Sequence, residues 1–190
     1  LEYMKISKVL QFHREDIRLH LGCGPNRLPG WINCEFANTI NEEWQVEFDL
    51  IKFPYDIEDN TVSRIYWSHV IEHIDPPQVP RIFQEFLRIL KPGGVVDTEW
   101  PDILKLSEYI VQDPTRIYSQ DKKIRKRAIA GMFGDVGKYK DPIMLHKWGY
   151  SEDAIIDLCY STGFRRAVRK QPWRPKTKKP TTDGRVIAIK

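Results

Sequence analysis

Between Ile17 and Phe36 the chain reads Ile-Arg-Leu-His-Leu-Gly-Cys-Gly-Pro-Asn-Arg-Leu-Pro-Gly-Trp-Ile-Asn-Cys-Glu-Phe, and no other stretch restricts the fold so strongly. Ile17, Leu19 and Leu21 alternate with polar neighbours, the period of a strand. Gly22 and Gly24 follow at once. Glycine tolerates positive φ and, lacking a Cβ, lets a ligand approach the backbone. A second apolar run then ends in Glu35, whose carboxylate can accept hydrogen bonds from ribose hydroxyls. Glycine turn plus downstream acid is the signature of a nucleoside-containing ligand in a doubly wound sheet. Gly-x-Gly alone also describes an ordinary tight turn. Two details narrow the reading. Arg27 stands where a third glycine would complete Gly-x-Gly-x-x-Gly, and Glu35 comes 13 positions after Gly22, against the roughly 20 expected for NAD. A pyrophosphate rests on a helix N-terminus, and this connection has little room for a helix. A ligand without pyrophosphate fits better.

The rest of the chain supports a layered α/β fold. Strands are expected at 17–21, 32–36, 46–50, 62–67, 95–100, 164–170 and 185–190. The clearest helix spans 78–90, where Val79, Ile82, Phe83, Phe86, Leu87 and Leu90 form one apolar stripe. Lys91-Pro92-Gly93-Gly94 stops it. A helix is expected over 103–111. Another should start after Ser151, an N-cap, with Glu152 and Asp153 in its first turn, run to Tyr160 and end at Gly163. Residues 1–16 show no clean period; Val9, Leu10 and Phe12 are candidates to cover a sheet edge. Residues 38–43 and 171–182 read as loops. Residues 112–148 fit no βα unit and read as an irregular insertion on the substrate side of a single domain spanning 1–190. Strands alternating with helices imply a mainly parallel sheet, and ligands of such sheets bind beyond the strand C-termini. Gly22, Glu35, Asp49, Ser68 and Asp102 all end or follow strands, so they converge on one edge.

Leu21 to Pro25, Leu-Gly-Cys-Gly-Pro, resembles the first motif of the class I S-adenosylmethionine-dependent methyltransferases. Three further matches follow in order: Asp49-Leu50, then Trp67-Ser68-His69-Val70-Ile71-Glu72-His73-Ile74, then Leu90-Lys91-Pro92-Gly93-Gly94. Together they cover about residues 17 to 100. His146-Lys147-Trp148-Gly149-Tyr150 looks like a small subfamily that bacteria often encode among genes for surface glycan assembly. The resemblance implies a doubly wound, mostly parallel seven-stranded sheet with an antiparallel terminal strand, and S-adenosylmethionine as cofactor. It places Gly22, Cys23, Gly24 and Pro25 against the methionine tail. Glu35, with Phe36 beside it, would hold the ribose; the family more often has Asp there. Asp49 would accept from the adenine amino group, with Leu50 beside the ring. Ser68 and His69 would face the methionine tail and sulfur.

Methyl transfer to a hydroxyl or amine can need a base. His69, Asp102 and His146 are the candidates. Trp148, next to a possible base, suits a sugar or ring acceptor, or else anchors the insertion to the core. Cys23 reads as packing rather than nucleophile, and His73 as a structural hydrogen bonder. His69 and His73 have the spacing of a helical metal pair. Val70 follows the first His where a zinc-protease motif has Glu, so no metal is expected.

Composition sets the outer limits. The net charge is +4, but five of the six residues from Lys122 to Arg127 are basic, and eight Lys or Arg with no acid lie between Arg165 and Lys179. Such runs are solvated surface or meet an anionic partner. The resemblance and the Trp148–His146 pair lead to an acceptor oxygen on a sugar or glycan precursor or other small molecule, which these runs allow to be anionic; methylation of RNA and a degenerate binding module are the alternatives. Three cysteines without a Cys-x-x-Cys pair suggest a reducing, cytoplasmic setting. No apolar run is long enough to span a membrane, and the first 20 residues hold no secretory block. The chain opens on Leu, so a few residues of the natural protein are expected before it. Oligomeric state leaves no trace in the sequence.

Overall fold

The computed structural model describes residues 4–11, 16–36, 42–135, 142–172 and 182–190. In chain order the elements are α1 (Ile6–Leu10), β1 (Ile17–Leu21), β2 (Ile32–Glu35), β3 (Val46–Glu47), β4 (Val62–Ser68), α2 (Val79–Ile89), β5 (Leu90–Pro101), α3 (Ile103–Gln112), α4 (Lys122–Phe133), α5 (Glu152–Thr162), β6 (Arg166–Arg169) and β7 (Asp183–Ile189). The strands form one seven-stranded sheet in the order β3-β2-β1-β4-β5-β7-β6. β1 to β5 are mutually parallel, and β7 runs antiparallel to both β5 and β6. This is the expected mixed, mostly parallel sheet with a reversed terminal strand.

Alternation divides the sheet into two chemically different faces. Leu19, Leu21, Ile65, Trp67, Val96, Trp100, Val186 and Ala188 belong to the apolar core. They meet the stripe of α2, whose Val79, Ile82, Phe83, Phe86 and Ile89 are all buried. Trp67 packs edge-on against Phe83 and Phe86, at centroid distances of 5.8 and 5.1 Å. α5 joins this layer through Ile155 and Cys159. His20, Tyr66, Asp97, Glu99 and Arg185 point the other way. Tyr66 donates to Glu99 at 2.8 Å, and Arg185 makes a two-pronged pair with Asp97 at 2.8 and 2.7 Å. His20 and Trp31 pack against the Tyr66 ring.

Several boundaries differ from the sequence reading, each for a visible reason. Lys91-Pro92-Gly93-Gly94 ends α2 as expected, yet these residues bulge out within β5 rather than precede it: β4 advances from Val62 to Arg64 while β5 advances from Leu90 to Val95. The expected irregular stretch 112–148 contains α4, capped by the Asp121 carboxylate on the Lys123 N–H and closed by Gly134 at φ 85°. Short 3-10 turns at Pro114–Tyr118 and Pro142–Met144 flank it. The basic run supplies the exposed side of α4, and only Ala128 is buried, so no apolar stripe announced the helix. Ser151 caps α5 through the Ala154 N–H, and the helix runs two residues past Tyr160 before Gly163 closes it in the left-handed region. β3 covers only two residues, so Asp49 lies just beyond it. Of the N-terminal candidates, Val9 is buried with Ile6 on α1, while Phe12 lies outside the described residues. So do 37–41, 136–141 and 173–181, which hold part of the 38–43 loop, Gly137 and most of the 171–182 loop. No helix among the described residues is long and apolar enough to cross a membrane.

Candidate functional site

Each parallel strand leaves the sheet at the same edge, and β7, being reversed, enters there with Asp183 opposite Pro101. That edge collects Gly22 and Gly24 after β1, Glu35 closing β2, Asp49 after β3, Ser68 and His69 at the end of β4, Asp102 after β5, and Asp183.

The glycine turn is built as its sequence demands. Gly22 has φ 60° and Gly24 φ 50°, both in the region that favours glycine. A Cβ on Gly22 would lie 2.3 Å from a Val70 methyl, so the turn and the segment after β4 touch; the space beside Gly24 is open. Between Gly22 and Trp31 there is no helix, in line with the short connection. Asn33 holds that connection instead. Its side chain accepts from the Leu28 N–H at 2.8 Å and donates to the Leu28 and Trp31 carbonyls. Glu35 closes on the turn: one carboxylate oxygen accepts from the Gly24 N–H at 2.7 Å, the other from the Phe36 N–H at 2.9 Å. Buried Gln45 braces the turn by donating to the Gly24 carbonyl at 2.8 Å, a role the sequence reading missed. Cys23 is buried and its thiol is pushed up to about 12 by desolvation, so it packs and does not act as a nucleophile. Pro25 is exposed; Phe36, Asp49 and Leu50 are half-buried. The Phe48 N–H donates to the Glu35 carbonyl at 2.9 Å, so Glu35 and Asp49 end adjacent strands side by side.

The second half of the edge collects titratable side chains. Ser68 donates to Glu99 at 3.3 Å. His69, at φ 57°, places Nδ1 3.3 Å from Glu72 and Nε2 3.2 Å from Asp183, so its ring lies between two buried carboxylates. Asp102 is fixed differently from the sequence expectation of a base. One of its oxygens accepts from the Leu104 and Lys105 N–H groups as N-cap of α3, and the other accepts from the Glu152 N–H at the start of α5. Both oxygens are committed to helix starts.

His146 arrives from the far end of the insertion. Gly134 bridges Leu145, and the His146 N–H donates to the Phe133 carbonyl at 3.2 Å, so the end of α4 fixes its position. Its ring packs edge-on against His73 at 4.9 Å, and burial pushes its basicity down. The Lys147 and Trp148 N–H groups both reach the Glu72 carbonyl, at 2.7 and 3.4 Å. Trp148 itself is 57% exposed, which removes the core-anchor reading. Burial acts most strongly on the Glu72 carboxyl and pushes it up; the rings of His69, His73 and His146 outweigh it and hold the group below the usual glutamate range. The sequence reading set His69 against His73 as a helical pair. The structure instead has a 3-10 turn at Ile71–His73 and brings His73 to His146 across 73 positions, with Glu72 between them.

Residues 19–96 match the family model described as a methyltransferase domain. Solved structures share the fold across nearly the whole chain. A SAM-dependent methyltransferase from Archaeoglobus fulgidus superposes with a TM-score of 0.61 at 15% identity, covering 96% of this chain and 90% of that one. One from Methanosarcina mazei gives 0.53 at 17% identity, with 98% and 99% covered. A protein from Thermotoga maritima, described as a SAM-dependent methyltransferase and possible histamine N-methyltransferase, gives 0.53 at 16%, with 96% and 86% covered. No curated protein matches the sequence.

Proposed function

We propose that this chain is a methyltransferase that uses S-adenosylmethionine and that it delivers the methyl group to an oxygen of a sugar or glycan precursor; the partial match to the methyltransferase-domain model supports the first part. The observation that carries the acceptor reading is the exposed Trp148 ring, tied by its own backbone to Glu72 two residues after His146. An exposed flat apolar face suits a sugar ring, which stacks through its C–H surface. The His146–Tyr150 resemblance to enzymes encoded with glycan-assembly genes points the same way.

The residues divide the work by position. When bound, the cofactor supplies an electrophilic methyl on a positive sulfur. The positive-φ turn at Gly22 and Gly24, with open space beside Gly24, lets the backbone lie against the amino-acid tail. The Glu35 carboxylate, which closes β2 against the glycine turn through Gly24 and Phe36, is the group placed to meet the ribose hydroxyls. Asp49 and Leu50 line the base end; Cys23, Pro25, Phe36, Ser68 and His69 complete the cradle. Holding acceptor and donor in line lowers the barrier mainly through orientation. For an acceptor hydroxyl, His69 is the base once one of its two carboxylate contacts, 3.3 Å at Nδ1 or 3.2 Å at Nε2, opens to admit the hydroxyl. Asp183 and Glu72 orient its ring and balance the charge it gains. Asp102 serves as a double helix cap, and His146 faces Glu72.

Calorimetry with S-adenosylhomocysteine tests the cofactor half: binding should occur, and Glu35→Ala should weaken it by about 1–3 kcal/mol. A methyl-release assay against fractionated acceptors tests the other half, with turnover expected in the saccharide fraction. A second reading, methylation of RNA, is favoured by one observation, the exposed basic side of α4 with Lys122, Lys123, Arg125 and Arg127. It predicts RNA binding that falls steeply with salt.

A further inference from the structure

Three buried side-chain polar atoms among the described residues have no hydrogen-bond partner: both carboxylate oxygens of Glu72 and the hydroxyl of Tyr150. Native interiors leave few such atoms, and each needs a reason. The Glu72 carboxylate lies among the rings of His69, His73 and His146. Glu72 is 2% exposed. A carboxylate taken that far from water costs several kcal/mol unless a positive group meets it. No Lys or Arg ion pair reaches it among the described residues; its neighbours are imidazoles.

One of those imidazoles is prepared as a ligand. His73 uses Nδ1 on the Leu145 carbonyl at 3.0 Å, which leaves Nε2 bearing the lone pair, and Nε2 lies 4.0 Å from Glu72 Oε1. His146 Nε2 also lies 4.0 Å from the same oxygen. A second ring nitrogen anchored on a backbone carbonyl is the usual support of a metal-bound histidine. One ligand atom from each of Glu72, His73 and His146 falls within 4.8 Å of the others, and no second such group occurs among the described residues.

We propose that Glu72, His73 and His146 bind a divalent transition-metal ion, zinc by preference, beside the acceptor position. Two imidazoles and one carboxylate are a ligand set zinc accepts with a position left open. Bonds of about 2.0–2.1 Å place ligand atoms about 3.4 Å apart in a tetrahedron. The two 4.0 Å separations then close by about 0.6 Å, within reach of small side-chain rotations. The ion satisfies the buried charge. An acceptor hydroxyl entering the open position would lose its proton more easily, to His69. The site itself rests on these contacts and not on the identity of the acceptor.

The test uses the whole chain, stripped with a chelator and dialysed. Zn²⁺ is titrated in competition with a chromophoric chelator, and Co²⁺ is followed by its visible absorption. One equivalent should bind, with a Co²⁺ spectrum of nitrogen and oxygen ligation and no thiolate band, since the three cysteines are buried. His73→Asn and His146→Ala should each weaken Zn²⁺ at least about 10-fold, the scale reached by disturbing even an outer partner. Circular dichroism and S-adenosylhomocysteine binding, both expected unchanged in the stripped protein and in folded variants, separate this claim from the methyltransferase reading. Absence of stoichiometric binding by the folded protein, or an affinity untouched in both variants, overturns the proposal. In that case protonated histidines neutralise Glu72.

Discussion

On one face of the sheet, Trp67, Trp100, Val186 and Ala188 meet the aromatic stripe of α2; on the other, Tyr66, Asp97, Glu99 and Arg185 meet one another. Both faces are buried, yet their tolerances differ. Apolar packing is non-directional and additive over area. A buried charge network holds only while each member keeps its partner. The first face supplies stability; the second fixes the strands whose ends carry Ser68, His69 and Asp102.

The largest way to break this contrast is on the apolar face. Phe86→Ala should cost about 3–5 kcal/mol, read from urea unfolding, because a fully buried ring leaves a cavity. On the polar face, Arg185→Met should cost about 2–3 kcal/mol by leaving buried Asp97 without its two-pronged partner. The double change Asp97→Leu with Arg185→Met should recover most of that loss, since an apolar pair replaces the ion pair. Failure of the double variant to recover would mean that the network contributes more than a paired charge. Next is Asp102→Ala, expected to lose about 1–2 kcal/mol from two helix starts while methyl transfer persists; Asp102→Asn should restore most of it.

The smallest effect is one of pH. Burial pushes the His20 ring below its ordinary value, so the folded state resists a proton that the unfolded chain accepts. Stability attributable to His20 is full above the unfolded histidine range and falls as pH drops through about 6.5. His20→Phe should flatten the urea midpoint between neutral and mildly acidic pH, leaving the part due to His146, whose ring is shifted the same way.

Local pattern made most of the sheet legible. Alternation marked β1, and the 3.6-residue stripe marked α2, because both signals arise within ten or so neighbouring residues. α4 was hidden because its buried surface is little more than Ala128 and a glycine, Gly131, on which a Cβ would meet Leu106 at 2.7 Å. A contact made by having no side chain leaves no hydrophobic trace. At the site, Gly22, Glu35 and Asp49 were readable from their places at strand ends. Asp183 beside His69 and His146 beside Glu72 were not, because those partners lie tens of positions apart and only the later part of the chain brings them together. Asp102 was misread for a simpler reason: Asp before an apolar run is also an N-cap, and that role fills both oxygens here.

The methyl carbon of Val70 that sits 2.3 Å from the missing Cβ of Gly22 acts as a spacer gauge. On the proposed assignment, the turn that meets the cofactor's tail lies on one side of this contact and the chain that carries His69 on the other. A larger residue at position 22 is then expected to push them apart, and an alkyl handover that works over about 3 Å to fail before the fold does.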